Sequence, residues 1–307
     1  MRSALWLFLL VILQTAVAQE CTATAPVNVL TYDTHQPLPF QPERLHASIG
    51  NSPLVFSSIE KLQSNRILIL VDVSGSMEQK LHFARVTLQL LLQNIRIGSS
   101  VAFGFFAEGH YLTSGFTTDP KEFSNAIQEL NSYKAKGKTA LRDALHDGLK
   151  LFNPAKPGDS VLLITDGGEN RSELKESTME KEIRESGVRI FALVPLPPST
   201  VFPEEELGTR WLEEMANRTG GRAFTIYHPW PSMDKKWLQQ VAALIQNFWL
   251  DGVGGGYLLT VKLPLNLDKP VRWRLRLDTS GDKRLKDASV IYPEKLMPCS
   301  STAAAVH

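Results

Sequence analysis

A chain of 307 residues, 43% of them apolar, is long enough to bury a sizeable core, and fits one large domain with appended pieces better than two equal halves. Its 33 basic and 32 acidic residues leave a net charge of +1, which excludes an overall electrostatic bias toward nucleic acid or an anionic membrane.

Residues 1–18 read as a secretory signal peptide. Arg2 supplies the positive start, Leu5 to Leu13 the apolar run, and Ala16-Val17-Ala18 a small-residue cleavage site that leaves Gln19 as the mature amino terminus. The apolar run falls short of the roughly 20 residues that a spanning helix needs, and no later segment reads as a transmembrane helix, so the mature chain is expected to be secreted or periplasmic. The two cysteines, Cys21 and Cys299, stand near the two ends of the mature chain. In an oxidising compartment they can clasp the termini together, and the sequence leaves open whether they pair or stay as free or intermolecular thiols. Residues 19–62 form a proline-bearing leader with a short strand at 27–32 and another short pair within 45–62, including 54–56, which cannot make a core alone.

The next stretch carries the chemistry. Ile67 to Val71 are apolar without alternation, as in a strand covered on both faces. Asp72, Ser74 and Ser76 then present a carboxylate and two hydroxyls at alternate positions, with Gly75 in the turn, before a helical pattern at Leu81, Ala84, Leu88, Leu91 and Leu92. Hard oxygen donors at the carboxyl end of a central strand suit a small divalent cation. The same residues admit a plainer reading, since Ser76-Met77-Glu78-Gln79 fits a capping box at a helix start.

Further on, residues 101–106 read as a buried strand and 111–116 as an antiparallel edge strand, and Asp119-Pro120 marks a helix start. The segment Ser132 to Lys138 ends like a phosphate-binding loop. It lacks the first glycine and follows a helix rather than a strand, so no nucleotide is expected. Gly137-Lys138-Thr139 opens another helix, and Val161 to Ile164 form an apolar strand ending at Asp166 and a glycine turn.

Asp72, Ser74, Ser76, Thr139 and Asp166, in this order and at these junctions, resemble the metal-ion-dependent adhesion site of the von Willebrand factor A (VWA) domain, with Gly-Lys-Thr where Gly-Gly-Thr is commoner. The resemblance covers residues 63–249. It implies a Rossmann-like, doubly wound, mainly parallel α/β sheet and a Mg²⁺ site, with Mn²⁺ and Ca²⁺ as the other candidate ions. Lys134, Lys136 and Lys138 fall beside Thr139 in sequence, where positive charge on the rim would draw a carboxylate, although a solvated loop explains each one as well.

Strands at 188–194 and 223–227 alternate with helices at 172–186, 203–218 and 234–249, the pattern of a parallel sheet. Gly252 to Gly256 reads as a linker. Residues 250–300 then carry strands at 257–263, 271–278 and 288–292, expected to join the leader in a small β-module, and 301–307 form a flexible tail. The whole layout resembles the secreted bacterial VWA-related family, by pattern alone outside 63–249.

The expected function is therefore metal-dependent binding of a protein ligand through an exposed Asp or Glu, with no nucleic acid as partner and no enzymatic activity. A metal-dependent hydrolase needs a base or second metal, and no His-Glu-x-x-His or Gly-x-Ser-x-Gly pattern occurs. A third reading has the ion only brace the fold.

Overall fold

The computed structural model describes residues 21–31, 38–62, 66–95, 98–113, 115–197, 203–227, 234–247, 253, 256–263, 267 and 269–297. The signal segment with Ala18 and Gln19, Cys299 and the tail lie outside them.

In chain order the elements are β1 (Cys21–Thr31), β2 (Leu45–Ile49), β3 (Ser52–Lys61), β4 (Arg66–Asp72), α1 (Leu81–Gln93), β5 (Ser100–Phe106), β6 (His110–Leu112), α2 (Pro120–Ser132), α3 (Leu141–Lys150), β7 (Ser160–Ile164), α4 (Glu176–Ser186), β8 (Arg189–Leu196), α5 (Pro203–Arg218), β9 (Arg222–Tyr227), α6 (Lys235–Asn247), β10 (Tyr257–Leu263), β11 (Val271–Arg272), β12 (Arg274–Leu277), β13 (Ala288–Ile291) and β14 (Lys295–Leu296).

The central sheet runs β6-β5-β4-β7-β8-β9, parallel throughout except for the antiparallel edge strand β6. β4 explains why both faces are covered. Ile67, Ile69 and Val71 pack with α1, α2 and α6 residues such as Leu88, Leu130 and Ile245, whereas Leu68 and Leu70 pack on the other face with Leu145, Met179 and Leu212 of α3, α4 and α5. Burying each such side chain contributes roughly 1.5–3 kcal/mol, so a strand with no polar position is held between two helical layers. The connections leave β4 in opposite directions, to β5 on one side and β7 on the other. The crevice at the carboxyl ends of β4 and β7 is therefore the topological switch point at which such sheets bind ligands.

A second six-stranded sheet, ordered β12-β2-β3-β10-β1-β13, is drawn from both flanks of the chain. β3 and β10 pair directly, with Lys61 opposite Tyr257, and Leu62 N–H donates to Gly256 O at 3.0 Å. The chain thus leaves this module and returns at one point, and the α/β domain is inserted between two neighbouring strands. Gly256 is part of that junction. Its φ is +112°, and a Cβ there would lie 2.0 Å from Asn28 Oδ1, so the end of the glycine run closes tightly against β1.

Several elements differ from the sequence expectation, among them the leader strand expected at 27–32, which already begins at Cys21, and β14, which was not expected. The edge strand expected at 111–116 is the short β6. The helix expected from residue 172 starts at Glu176, because Asp143 accepts the N–H groups of Glu173 and Leu174, and Glu169 accepts those of Arg171 and Ser172, which holds the preceding turn open. The strand expected over 271–278 breaks at Trp273, whose indole donates to Pro293 O at 2.7 Å. β11 pairs with β14, and β12 with β2, so the chain changes partner strand at that residue.

Candidate metal centre

β4 delivers Asp72 to the carboxyl edge of the sheet, and the chain turns through Ser74 into a 3-10 turn at Gly75–Met77. Asp72 is fully buried. Its Oδ1 accepts from the Ser74 N–H at 2.8 Å, and its Oδ2 from the Thr165 hydroxyl at 2.7 Å. The Ser74 and Ser76 hydroxyls lie 3.2 Å apart. α1 begins only at Leu81, and its capping residue Lys80 makes no side-chain cap, so Ser76 does not act as a helix cap.

Backbone bonds bring the other two segments to this turn. Gly75 N–H donates to Gly137 O at 2.9 Å and Lys136 N–H to Val73 O at 3.1 Å, which lays the Thr139 loop on the Asp72 loop. Thr139 is then pinned to the loop after β7. Its N–H donates to Asn170 Oδ1 at 2.9 Å, and its carbonyl accepts from the N–H groups of Asn170 and Arg171 at 3.1 and 3.0 Å.

Gly168 shows how the donors are disposed. A Cβ on this residue would stand 3.4 Å from Asp166 Oδ1, 3.8 Å from Ser76 Oγ and 3.8 Å from Thr139 Oγ1. One carboxylate oxygen and two hydroxyls from three remote segments thus face a single small cradle, with Ser74 Oγ beside them and Asp72 behind. Asp72, Ser74, Thr139 and Asp166 are buried, whereas Ser76 is exposed, so the cluster opens to solvent on that side. Among the described residues no three or more His, Cys, Asp or Glu side chains gather to hold an ion. The donor set is two carboxylates and three hydroxyls, all hard oxygens, and it fits a small divalent cation such as Mg²⁺.

The electrostatics agree with that chemistry. Burial, with the charge of Asp166 added, pushes the Asp72 carboxyl up to about 7, although its bonds from Ser74 and Thr165 pull the other way. Two neighbouring carboxylates in a dry crevice call for a cation. Part of that cation is built in. Lys80 Nζ donates to Asp166 Oδ2 at 2.7 Å and to Glu205 Oε1 on α5 at 2.9 Å, and all three residues are buried. Burial disfavours the ammonium, but the two carboxylates outweigh it and raise its pKa. With Oδ2 held by Lys80, Asp166 presents Oδ1 to the cradle, where it also accepts the Gly168 N–H at 3.2 Å.

Lys80, Glu205, Thr165 and Asn170 are functional neighbours that sequence reasoning missed. Thr165 adjoins Asp166 and Asn170 closes the same loop, so proximity to the motif was a usable signal for both. Lys80 and Glu205 carried none. The rim lysines Lys134, Lys136 and Lys138 are all exposed on the segment that carries Thr139, and the ammonium paired with Asp166 is that of Lys80 instead. The Lys138 N–H donates to Glu108 Oε1 at 3.2 Å. His110 pairs through Nε2 with Asp147 at 2.7 Å.

Residues 45–217 match the family model described as VWA domain containing CoxE-like protein. Among solved structures, the chain is similar to a von Willebrand factor type A protein from Catenulispora acidiphila (14% identity, 90% of this chain and 74% of that one, TM-score 0.49). It is also similar to the conserved hypothetical protein BatB from Bacteroides thetaiotaomicron (17% identity, 59% of this chain and 96% of that one, TM-score 0.44). A third is the pilus adhesin SpaC from Lactobacillus rhamnosus GG in its open conformation (11% identity, 86% and 49%, TM-score 0.46). No curated protein matches the chain. No helix among the described residues is long and apolar enough to cross a membrane.

Proposed function

This chain belongs to the family of VWA domain containing CoxE-like proteins, and from that membership we propose that it is an exported, non-enzymatic module that binds a protein partner in a divalent-metal-dependent way. Asp72, Ser74, Ser76, Thr139 and Asp166 would hold Mg²⁺, with Mn²⁺ or Ca²⁺ as substitutes. When bound, the ion supplies a Lewis-acidic position for an exposed Asp or Glu of the partner. The observation that carries this reading is the cradle at Gly168, where oxygens of Ser76, Thr139 and Asp166 face one point beside an exposed edge.

The residues around the cradle position and shield. Thr165 and the Ser74 amide fix Asp72, Lys80 fixes Asp166, and Asn170 fixes Thr139. Export rests on the signal pattern of residues 1–18 and on the cysteines. Cys21 opens β1, and β14, which lies against β1, ends three residues before Cys299, so we infer a disulfide between them.

The test is calorimetric titration of the EDTA-stripped protein with MgCl₂, beside capture of an array of Asp- and Glu-bearing peptides and their Asn and Gln counterparts. Saturable Mg²⁺ uptake, with capture of the acidic peptides lost in EDTA and in a folded Asp72→Ala variant, supports the reading. Capture that is equal in EDTA, or Mg²⁺ uptake unchanged in Asp72→Ala, refutes it.

A further inference from the structure

Between the first turns of α5, the start of α3 and the loop after β7 lies a cavity of about 180 Å³ that the metal centre does not use. It adjoins that centre closely. Its wall includes Gly167, next to Asp166, and Leu141, two residues after Thr139. Asn170, which holds the Thr139 amide at 2.9 Å, also donates to Glu204 on the cavity rim at 3.4 Å.

The lining is amphipathic. The buried Leu141 and half-buried Trp211 make an apolar floor, and Leu207, 63% exposed, stands as an apolar side chain at its edge. Of the charges, Arg142 and Glu169 are spent on the protein itself. The Glu169 carboxylate accepts from the Arg142 and Ser172 amides and from the Ser172 hydroxyl, and the Arg142 guanidinium donates to Leu174 O and stands 3.9 Å from Glu169. Glu176 and Glu204 remain. Both are exposed, Glu176 has no side-chain partner among the described residues, and Glu204 has only the long bond from Asn170. Acids in the first turn of a helix complement the helix dipole, which accounts for each one singly. Here two such acids, from α4 and α5, border one apolar-floored cavity and give it a net negative rim.

The size narrows the occupant. About 180 Å³ is below the roughly 300–1,000 Å³ of cofactor-sized pockets and close to the ~150 Å³ that holds one aromatic ring, so the cavity takes a single side chain. An apolar floor with a net negative rim fits a long aliphatic stem ending in a cation, which an indole face also attracts. Resting on the binding reading above, we propose that this cavity receives a lysine or arginine of the same partner segment whose carboxylate meets the metal centre. The recognised surface is then an acidic residue with a basic neighbour a few positions away, and the acidic residue alone binds more weakly.

The experiment is a peptide array on the full chain in Mg²⁺ and in EDTA, with a fixed Asp and with Arg, Lys, Ala, Leu or Glu at each of the neighbouring positions. It is repeated with the surface double variant Glu176→Gln/Glu204→Gln, whose melting temperature confirms folding. In Mg²⁺, basic-flanked Asp peptides are expected to bind about tenfold more tightly than Ala-flanked ones, and the double variant should erase that advantage without changing Ala-flanked binding. Mg²⁺-dependent capture with indifferent, acidic or apolar flank preference, or a basic preference that persists in the double variant, overturns this inference and leaves the binding reading standing. Absence of Mg²⁺-dependent capture for every Asp peptide removes the binding reading and this inference with it.

Discussion

Replacing Asp72 by Asn separates stability from metal binding. The Asp72 carboxyl is raised from 3.8 to about 7 in the fold, so the folded metal-free protein holds its proton more tightly than the unfolded chain. A folded pKa above the unfolded one contributes stability that is fully present below pH 3.8 and is lost as pH rises through about 7. At about 1.4 kcal/mol per pKa unit, the metal-free protein should lose on the order of 4 kcal/mol across that window. Asn keeps the local bonds. Its Oδ1 accepts the Ser74 N–H, and its amide donates to the Thr165 hydroxyl, which also accepts the Gly167 N–H at 3.1 Å. In EDTA at pH 8, Asp72→Asn should therefore be more stable than the native chain by up to about 4 kcal/mol, with the gap closing toward pH 4. In Mg²⁺ the order should narrow or reverse, because only the native chain gains from the ion, by about 2.7 kcal/mol at a hundred times its Kd. Urea denaturation at four pH values with and without Mg²⁺ measures all of this. An Asn variant less stable than the native chain in EDTA at pH 8 would show that the carboxylate is fully compensated inside the fold, and the argument for a bound cation would lose its electrostatic support.

Three further variants address the same centre. Gly168→Ala puts a methyl at ordinary contact distance, 3.4–3.8 Å, from the donor oxygens, so stability should change by less than about 0.5 kcal/mol while calorimetry shows Mg²⁺ affinity falling about tenfold or more. Gly208→Ala would drive a Cβ to 1.6 Å from Gly167 O, and should cost about 1–3 kcal/mol in denaturation and weaken Mg²⁺ binding, because the displaced loop carries Asp166. Lys80→Met removes the buried ammonium that Asp166 and Glu205 share, with an expected loss of roughly 3–5 kcal/mol in EDTA by urea denaturation.

The parallel sheet was legible because its strands have no polar face. Ile67 to Val71, Val161 to Ile164 and Ile190 to Val194 are apolar at every position, which only a sheet covered on both sides explains. The β-module was legible only as a need. Alternation in residues 271–277 marks a half-buried strand, but the partner change at Trp273 depends on a bond to Pro293, and the insertion point depends on Lys61 standing opposite Tyr257 across the whole α/β domain. Register between remote strands is set by packing that no local pattern encodes.

The five oxygen donors stood out because each follows a strand or opens a helix, where backbone geometry forces a short polar side chain into the crevice. Lys80 did not, since a lysine just before a helix reads as a solvated residue, and Glu205 lies 125 positions from it in the chain. Their effect is nonetheless direct. The Lys80 ammonium occupies one oxygen of Asp166 and leaves the other for the cradle, and Glu205 on α5 holds the same ammonium from its other side. The same first turns of α5 supply Glu204, Leu207 and Gly208 to the neighbouring cavity. A shift of this helix along the loop after β7 would therefore change the width of the cavity and the aim of Asp166 together, which couples the cavity to the candidate metal centre through a single rigid element.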